Sequence, residues 1–328
     1  MSGPPASPLL GAGPFAVDLD GGPGAATVGY GKAYVTTYRA GAPALAVASV
    51  PGSGFTGRPP GLAAAELTVE VAGPAFLDAY TSGDNTRVVA TDSMKNLVLV
   101  VAAEAGCATV EGLAAAVAAR VLAEWADVAT VRVSGRELPY AAQPLAGGGV
   151  SGQSWRRLGG AHQVASVTVD RAAGTIELLG GIDELELVRL SGSSFAGFVR
   201  DRFTTLAETE DRPLPVGVRA RWWYADPGAA GAAGDPAGYV AREQVTDLLG
   251  LLLHELASRS IQELVLTWAR RLLAAYPAIG RVWLEAENRT WAAPPVAPAL
   301  GSPRAWTVPQ PMFGLIRLDL ARDGGGEP

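Results

Sequence analysis

The densest polar chemistry in the sequence lies in the segment SSFAGFVRDRFTTLAETEDR, residues 193–212. Arg212 ends this segment, and a guanidinium group can bind a planar anion through two parallel N–H donors. Phe195 would supply an aromatic face on which a flat ligand stacks. The functional hypothesis is a site for a planar anion, with Arg212 held by neighbouring acids. The simpler alternative is a solvated, charged loop with a few local ion pairs.

Residues 260–263, SIQE, indicate a second polar group at the start of a helix. Ser260 and Glu263 fit a capping box, in which each side chain accepts from a backbone N–H group of the first turn. The first N–H groups of a helix, such as that of Ile261, lack helical partners and carry partial positive charge. Gln262 would add a donor and an acceptor side by side, which match the amide edge of a heterocycle. The alternative is an ordinary polar residue in a first turn.

Lysine is rare in this chain, and its positions are therefore informative. Of 26 basic residues, only Lys32 and Lys95 are lysines. A buried lysine can lose its proton whereas arginine keeps its charge, so a retained lysine is a candidate for proton transfer. Lys95 lies in VVATDSMKN, residues 88–96, where a strand end meets a helix start. The alternatives are retention by chance and, for this segment, helix capping alone.

The composition excludes several classes of protein. The net charge is −6 and no basic tract is present, which argues against a nucleic-acid partner. A single cysteine, Cys107, excludes an internal disulfide framework. With Cys107, His162 and His254 as the only soft ligands, no zinc, haem or iron–sulfur site is expected. No apolar run reaches membrane-spanning length, so a membrane partner is not expected either.

The strand and helix patterns predict the α+β class, with one order of elements used twice. The order β-β-α-α-β-β fills residues 27–170 and recurs in residues 171–322, without a repeated sequence. Each unit would form an antiparallel sheet with helices on one face. We expect residues 1–26, rich in Gly, Pro and Ala, to be a disordered extension, and residues 323–328 to be a flexible tail.

The predicted helices place the candidate residues. One helix is expected to run from Thr91 to about Ala103, with the TDS sequence as its cap, and a second one over residues 110–126. Residues 242–276 are helical with a break near Arg259, so that a new helix begins beside the SIQE motif.

Five segments, in order along the chain, resemble the urate oxidase (uricase) family. They are YGK, VVATDSMKN, residues 193–212, SIQ and ENRT, and the late segment FGLI is similar to the family's closing strand. The resemblance covers roughly residues 30–319. It implies two tandem tunnelling-fold (T-fold) units per chain and a β-barrel that closes only in an oligomer, a homotetramer in this family. It also implies oxidation of urate by dioxygen and water to 5-hydroxyisourate and hydrogen peroxide, without a metal or organic cofactor.

The resemblance implies a substrate-binding role for four residues. In the family, the aromatic residue at the position of Phe195 stacks on the purine. The arginine at the position of Arg212 binds the edge of the pyrimidine ring with both arms of its guanidinium group. The glutamine at the position of Gln262 pairs with the opposite edge, and the backbone of Ile261 adds a contact.

Five further residues complete the expected site: Lys32, Thr91 and Thr290 at catalytic positions, and Asp92 and Asn288, together with Thr91, at positions that bind substrate. Lys32 and Thr91 would form a proton relay, and Thr91 and Asp92 would touch urate bound to the neighbouring subunit, so that active sites lie at subunit interfaces. Asn288 would hold water or dioxygen above the ring. The family usually has histidine two residues later, where this chain has Thr290. Threonine forms hydrogen bonds but cannot take up charge, which leaves the acid–base step at this position open.

Two alternatives remain beside urate oxidation. The first is a catalytically weakened homologue that binds urate or another purine, because Thr290 replaces the histidine. The second is a T-fold purine or pterin hydrolase, although such enzymes use metal ligands that this chain lacks. Lys95 and Asn96 receive no role from the resemblance and are expected to be structural. A bacterial cytoplasmic location is expected, since no Ser-Lys-Leu peroxisomal signal ends the sequence.

Overall fold

One antiparallel sheet of eight strands runs through both halves of the chain. The computed structural model describes residues 16–18, 25–228, 238–292, 305–307 and 312–322. Its strands are β1 (Ala16–Asp18), β2 (Ala25–Thr27), β3 (Gly29–Ala42), β4 (Leu45–Ala46), β5 (Gly57–Arg58), β6 (Gly61–Ala72), β7 (Thr130–Glu137), β8 (Tyr140–Pro144), β9 (Val150–Arg157), β10 (His162–Asp170), β11 (Thr175–Arg189), β12 (Leu214–Tyr224), β13 (Ile279–Asn288) and β14 (Gly314–Ala321). Its helices are α1 (Leu77–Thr81), α2 (Thr91–Glu104), α3 (Val110–Glu124), α4 (Arg242–Glu255) and α5 (Ile261–Ala275).

The large sheet has the order β14-β13-β12-β11-β10-β7-β6-β3, and each half of the chain contributes four consecutive positions. All of its neighbouring strands are antiparallel, and the halves meet where β10 pairs with β11. Helices α2 and α3 lie between β6 and β7 in the sequence, and α4 and α5 lie between β12 and β13. The predicted α+β class is confirmed, and in the large sheet each half has two strands, then two long helices, then two strands.

Alternate residues of the strands face the helices, as the period of a strand requires. In β6, Leu67, Val69 and Val71 are fully buried, whereas Thr68 and Glu70 between them are only partly buried. The buried side of the strands packs against helices α2 to α5 in one hydrophobic core. The helices are thereby fixed relative to the strand ends, which is where the candidate residues lie.

The opposite side of the sheet is charged and is linked by ion pairs between neighbouring strands. Arg219 of β12 donates to Glu285 of β13 over 2.6 Å, and Arg317 of β14 donates to the same carboxylate over 2.7 Å. Arg281 donates to Asp319 over 2.8 Å. These contacts keep one surface of the sheet polar and outside the hydrophobic core.

Most predicted boundaries are confirmed within a few residues. Helix α4 ends at Glu255 and α5 begins at Ile261, so the break near Arg259 is present. The Ser260 hydroxyl accepts from the backbone N–H of Glu263 over 3.1 Å, and the Glu263 carboxylate accepts from the backbone N–H of Arg259 over 3.3 Å. The capping box is confirmed, except that Glu263 reaches one residue further back than expected.

Two segments differ from the sequence prediction or extend beyond it. Strands β8 and β9 form a hairpin that the sequence patterns did not indicate. Within residues 1–26, predicted as a disordered extension, the structure describes β1 and part of β2, which pair with each other. The rest of that extension, and residues 323–328, lie outside the described residues.

The contacts that end the second helix of each half recur at a constant spacing. The guanidinium group of Arg171 donates to the carbonyl oxygen of Trp125, the residue that follows α3, over 3.1 Å. Arg322 donates in the same way to Tyr276, which follows α5, over 3.2 Å. Both members of the second pair lie 151 positions after their counterparts (322 minus 171, and 276 minus 125). The arginines satisfy carbonyl groups that a helix end leaves without partners.

The starts of these helices repeat with the same spacing. The Thr109 hydroxyl accepts from the backbone N–H of Gly112 over 3.0 Å, as that of Ser260 accepts from Glu263. Thr109 and Ser260 are again 151 positions apart. The sequence indicated only a repeat of element order, but the structure contains a repeat of individual contacts.

A buried polar network joins the two halves where β10 lies beside the start of α4. The Gln163 side chain donates to the fully buried Glu111 carboxyl over 2.5 Å and accepts from the backbone N–H of Arg242 over 3.0 Å. The Arg242 side chain donates to Glu137 over 2.9 Å, and Glu137 also pairs with Arg58. Burial raises the pKa of Glu111 from its usual 4.5 to about 8, so the carboxyl is mostly neutral at pH 7.

This network predicts a specific dependence of stability on pH. Because the folded-state pKa of Glu111 lies above its unfolded value, its contribution is complete below pH 4.5 and is lost as the pH rises through about 8. We expect Glu111→Gln, which fixes the neutral form and still accepts from Gln163, to lose less stability than the wild type between about pH 4.5 and pH 8. The free energy of unfolding by denaturant, measured at each pH, checks this.

The matched control is Glu104→Gln, which removes a surface carboxylate paired with Arg120. Its stability should follow the wild-type curve across this pH range. If the curve of Glu111→Gln also runs parallel to that of the wild type, Glu111 is not titrating in the folded protein.

Candidate active site

Arg212 presents a guanidinium group without an ion pair among the described residues. It is half-buried, and its Nε atom has no hydrogen-bond partner. The neighbouring acids bind the loop backbone instead: Asp211 accepts from the Gly192 N–H over 2.6 Å, and Glu208 from the Gly197 N–H over 3.1 Å. The expectation that these acids hold Arg212 is therefore wrong. Burial lowers the pKa of Arg212, but arginine stays protonated and can still bind an anion.

Phe195 lies against this guanidinium group. The Arg212 Cζ atom is 5.4 Å from the centre of the Phe195 ring, within the range of a cation–π contact. The backbones of Phe195 and Thr209 exchange two hydrogen bonds, of 2.8 and 3.0 Å, which bring both ends of the loop together. Phe198 stacks on the Phe195 ring with centres 4.9 Å apart. Residues 17 positions apart in the sequence thus meet in one place.

The start of helix α5 is tied to the same loop. The backbone N–H of Ser194 donates to the carbonyl oxygen of Ser258 over 3.2 Å, and the Ser258 hydroxyl donates to the carbonyl oxygen of Ser260 over 2.7 Å. Ile261 is the first residue of the helix and has a buried side chain, whereas the side chain of Gln262 is exposed. Gln262 therefore lies at a capped helix start beside the loop that carries Arg212.

Asn288 and Thr290 lie at the same end of the sheet. Asn288 ends β13, where it pairs with Val216 near the start of β12 and with Gly314 at the start of β14. Arg212 lies two residues before the start of β12, the strand that pairs with Asn288. The Thr290 hydroxyl donates to the Asn288 side-chain oxygen over 3.3 Å. Thr290 therefore orients the amide of Asn288 instead of supplying an ionisable group.

Thr91 is the first residue of α2 and is exposed. Ala90 occupies the cap position, and no side chain caps this helix, so the expectation that TDS is the cap is wrong. The Tyr30 hydroxyl accepts from the backbone N–H of Val89 over 2.8 Å and thereby holds the helix start against β3. The hydroxyl and the first N–H groups of α2 face solvent in a single chain.

Asp92 is held by two residues that the sequence patterns had left as structural. Its carboxylate accepts from the Lys95 ammonium group and, over 3.0 Å, from the Asn96 side-chain amide. The hydrogen bond from Lys95 lowers the pKa of Asp92, and the charge of Lys32 adds to the effect. Lys32, on β3, is therefore near Asp92. The signal for Lys95 and Asn96 was their spacing of three and four residues from Asp92 on one helix face.

The candidate residues thus form two groups that do not meet within one chain. Phe195, Arg212, Gln262 and Asn288 belong to the second half, and Asn288 lies on the second strand of the sheet. Lys32 lies on β3, the strand at the opposite edge. Six strand spacings separate these strands, which is roughly 30 Å along the sheet. A site that needs both groups requires a second copy of the chain.

Among the described residues, no group of three or more His, Cys, Asp and Glu side chains is arranged to hold a metal ion. In the same part of the chain, no helix has both the length and the apolar character needed to cross a membrane.

Comparison with known proteins places these features in one family. The uricase family model matches residues 68–168 and 178–306, which is more than half of the chain. A urate oxidase structure from Bacillus sp. TB-90 superposes with a TM-score of 0.85 at 31% identity, covering 90% of this chain and all of that one. Its similarity extends over both halves of the large sheet.

Similar curated proteins carry related names. The uricase of Haloferax volcanii is 38% identical over 271 residues, or 80% of this chain and 88% of the relative. The uric acid degradation bifunctional protein PucL of Bacillus subtilis is 36% identical over 304 residues, or 90% of this chain. The chain spans only 61% of the length of that bifunctional protein. By the family match and by these identities, the chain belongs to the uricase family.

Proposed function

We propose that this chain is a urate oxidase, which converts urate, dioxygen and water into 5-hydroxyisourate and hydrogen peroxide. The observation that carries the proposal is the guanidinium group of Arg212, which lies against Phe195 and has no ion pair with any described residue, in a loop bonded to the segment that precedes the exposed Gln262. Urate is flat, anionic and edged with amide groups. An unpaired guanidinium fork, an aromatic ring and an amide match each of these properties.

Four residues of the second half would bind urate. Arg212 would bind one edge of the urate anion through two N–H donors, and Gln262 would pair with the opposite edge. The backbone N–H of Ile261, unpaired in the first helical turn, would donate to a carbonyl oxygen of the ligand. Phe195 would contact a face of the ring. The anion would take the place of the carboxylate partner that Arg212 does not have among the described residues.

Residues of the first half would carry out proton transfer. Lys32, as a neutral amine, would accept a proton through the hydroxyl of Thr91, because an amine nitrogen can take up a proton and a hydroxyl can accept one hydrogen bond while it donates another. Loss of protons makes urate electron-rich enough to give two electrons to dioxygen, which becomes hydrogen peroxide with two protons. Water then supplies the new hydroxyl group at the ring carbon. Asn288, oriented by Thr290, would hold the water or dioxygen, and no metal or organic cofactor is required.

The repeat of 151 positions supports an active site between chains. Arg242, the first residue of α4, lies 151 positions after Thr91, the first residue of α2. Within the chain, the start of α4 faces Glu111, the counterpart of Gln262. The same arrangement between copies would place Thr91 and Asp92 of one chain over Gln262 of another. Two tandem T-fold units, a shared β-barrel and a homotetramer, which the resemblance to the uricase family implies, are part of this proposal, and a cytoplasmic location stays a prediction.

The direct test follows urate by its ultraviolet absorbance and measures peroxide release in chelator-treated protein. We expect equal molar amounts of urate consumed, measured by absorbance, of oxygen consumed and of peroxide formed. Xanthine is the control substrate, because it lacks the carbonyl group that completes the urate ring edge. Absence of turnover in correctly assembled, metal-free protein would refute the proposal of a cofactor-free oxidase.

Arg212→Lys should weaken urate binding. Lysine keeps the charge but lacks the planar fork, and a lost charged hydrogen bond of about 1.5–3 kcal/mol corresponds to a rise in KM of about 10- to 100-fold. Steady-state kinetics check this. Arg200→Lys, in the same loop, is the control, since Arg200 is exposed, donates to the Leu206 carbonyl oxygen and lies over the Phe198 ring, a cation–π contact that lysine can keep. Equal kinetics for the two variants would show that Arg212 does not bind urate.

Thr290→His tests the departure from the family pattern. Histidine titrates near pH 6.5, so we expect a new ionisation in the pH dependence of kcat that the wild type lacks. A pH profile identical to that of the wild type would count against a proton-transfer role for this position.

Calorimetry of the wild type separates the weakened homologue from an active oxidase: tight urate binding without oxygen consumption would favour the former.

A further inference from the structure

We propose that the first half of the chain contains a second copy of the ligand position, permanently filled by the side-chain amide of Gln163, and that Gly314 keeps the corresponding position in the second half open. The inference about Gly314 rests on the proposed role of Gln262 in ligand binding. The inference about Gln163 stands on the contacts within the first half alone.

The two positions are equivalent by their place in the repeat. Glu111 is the second residue of α3 and Gln262 is the second residue of α5, and they lie 151 positions apart. The hydroxyl groups of Thr109 and Ser260 cap these helices with the same hydrogen bond. Each helix start therefore presents one side chain, a carboxyl or an amide, to the end of the neighbouring strands.

The strand ends around these side chains correspond as well. Glu137 ends β7 and Asn288 ends β13, again 151 positions apart. On the next strand, Gln163 of β10 has Gly314 of β14 as its counterpart (314 minus 163). Gly314 pairs directly with Asn288. The first half thus has a long amide side chain where the second half has none.

Gln163 makes the contacts that a ligand would make. Its amide N–H donates to Glu111 over 2.5 Å, and its amide oxygen accepts from the backbone N–H of Arg242 over 3.0 Å. Gln163 is buried, with 2% of its surface exposed. Arg242 is the counterpart of Thr91, which is proposed to reach urate from another chain. The Gln163 amide is therefore held between the starts of α3 and α4. These are the counterparts of the starts of α5 and α2, which would hold the amide edge of urate.

The ligand class of the first position follows from its partners. A carboxyl group at a helix start accepts from N–H donors, and the N–H of Arg242 requires an acceptor next to that donor. A primary amide has both groups on one carbon atom. Urate would meet a carboxyl in place of the Gln262 amide, so the first half is not expected to bind it even when Gln163 is removed.

The role of Gly314 can be tested by varying the size of the side chain at this position. A Cβ atom on Gly314 would lie 3.5 Å from the Asn288 Cβ atom, an ordinary van der Waals contact, so alanine should fit. In Gly314→Gln, the new amide would reach Gln262 as that of Gln163 reaches Glu111. A tethered group competes at high effective concentration, and we expect urate binding to weaken by about 100-fold or more. Gly314→Ala should bind within about threefold of the wild type.

Anaerobic calorimetry with urate measures both variants, and circular dichroism confirms that they are folded. Equal binding by Gly314→Gln and Gly314→Ala would overturn the role of Gly314. If the wild type itself does not bind urate, the proposed function and the role of Gly314 fail together, and only the first-half test below still bears on the inference.

The first-half position is tested without urate. Gln163→Ala should lower the Tm, and added acetamide should raise the Tm of this variant relative to the wild type, because it can occupy the position between Glu111 and Arg242. N,N-Dimethylacetamide, which has no N–H donor, is the control solute and should not rescue. Gln163→Asn, which keeps the amide but shortens it by one methylene, is measured in the same way if the alanine variant does not fold. Equal responses to the two solutes would overturn the inference.

Discussion

The amide of Gln163, buried between Glu111 and the start of helix α4, is the contact on which the relation between the two halves depends. It joins a helix of the first half to a helix of the second across the strand where the halves meet. A buried donor or acceptor without a partner costs about 1–3 kcal/mol, so each half fixes the position of the other. The Arg242 side chain extends this connection by donating to Glu137, the last residue of β7.

The same geometry explains why the candidate active site is incomplete in one chain. The helix start of α4 has its counterpart in α2, whose first residues are exposed. At the start of α5, the side chain of Gln262 is likewise exposed. If the arrangement inside the chain is repeated between copies, each exposed helix start meets the exposed half-site of a partner. One structural relation then accounts for both the internal network and the proposed site.

The sequence allowed much of this to be predicted. The Ser260 cap, the helix break and the order of the strands of the large sheet and their helices depend on local residue types and periodicity, and all were recovered. The partners of Asp211 and Glu208 could not be predicted, because either acid could bind Arg212 or the loop backbone, and only the path of the loop decides between them. The cap of α2 was missed for a related reason, since Thr91 resembles a cap residue but lies one position inside the helix.

The repeat of contacts was also outside the reach of sequence patterns. Glu111 and Gln262, or Thr109 and Ser260, are different residue types that take the same structural position. Their equivalence is visible only when hydrogen bonds are compared at a fixed spacing. Gln163 gave no signal as a polar residue in a strand, although its amide proves to be the centre of the interface between the halves.

The central claim, that each site combines the two groups from different chains, is tested by subunit complementation. Thr91→Ala and Arg212→Ala each disable one group and should be nearly inactive alone. When both are co-expressed with different affinity tags and mixed oligomers are isolated, about a quarter of the sites should combine an intact Thr91 with an intact Arg212. We expect activity near that fraction of the wild type. Mixed oligomers as inactive as the separate variants would contradict a site shared between chains.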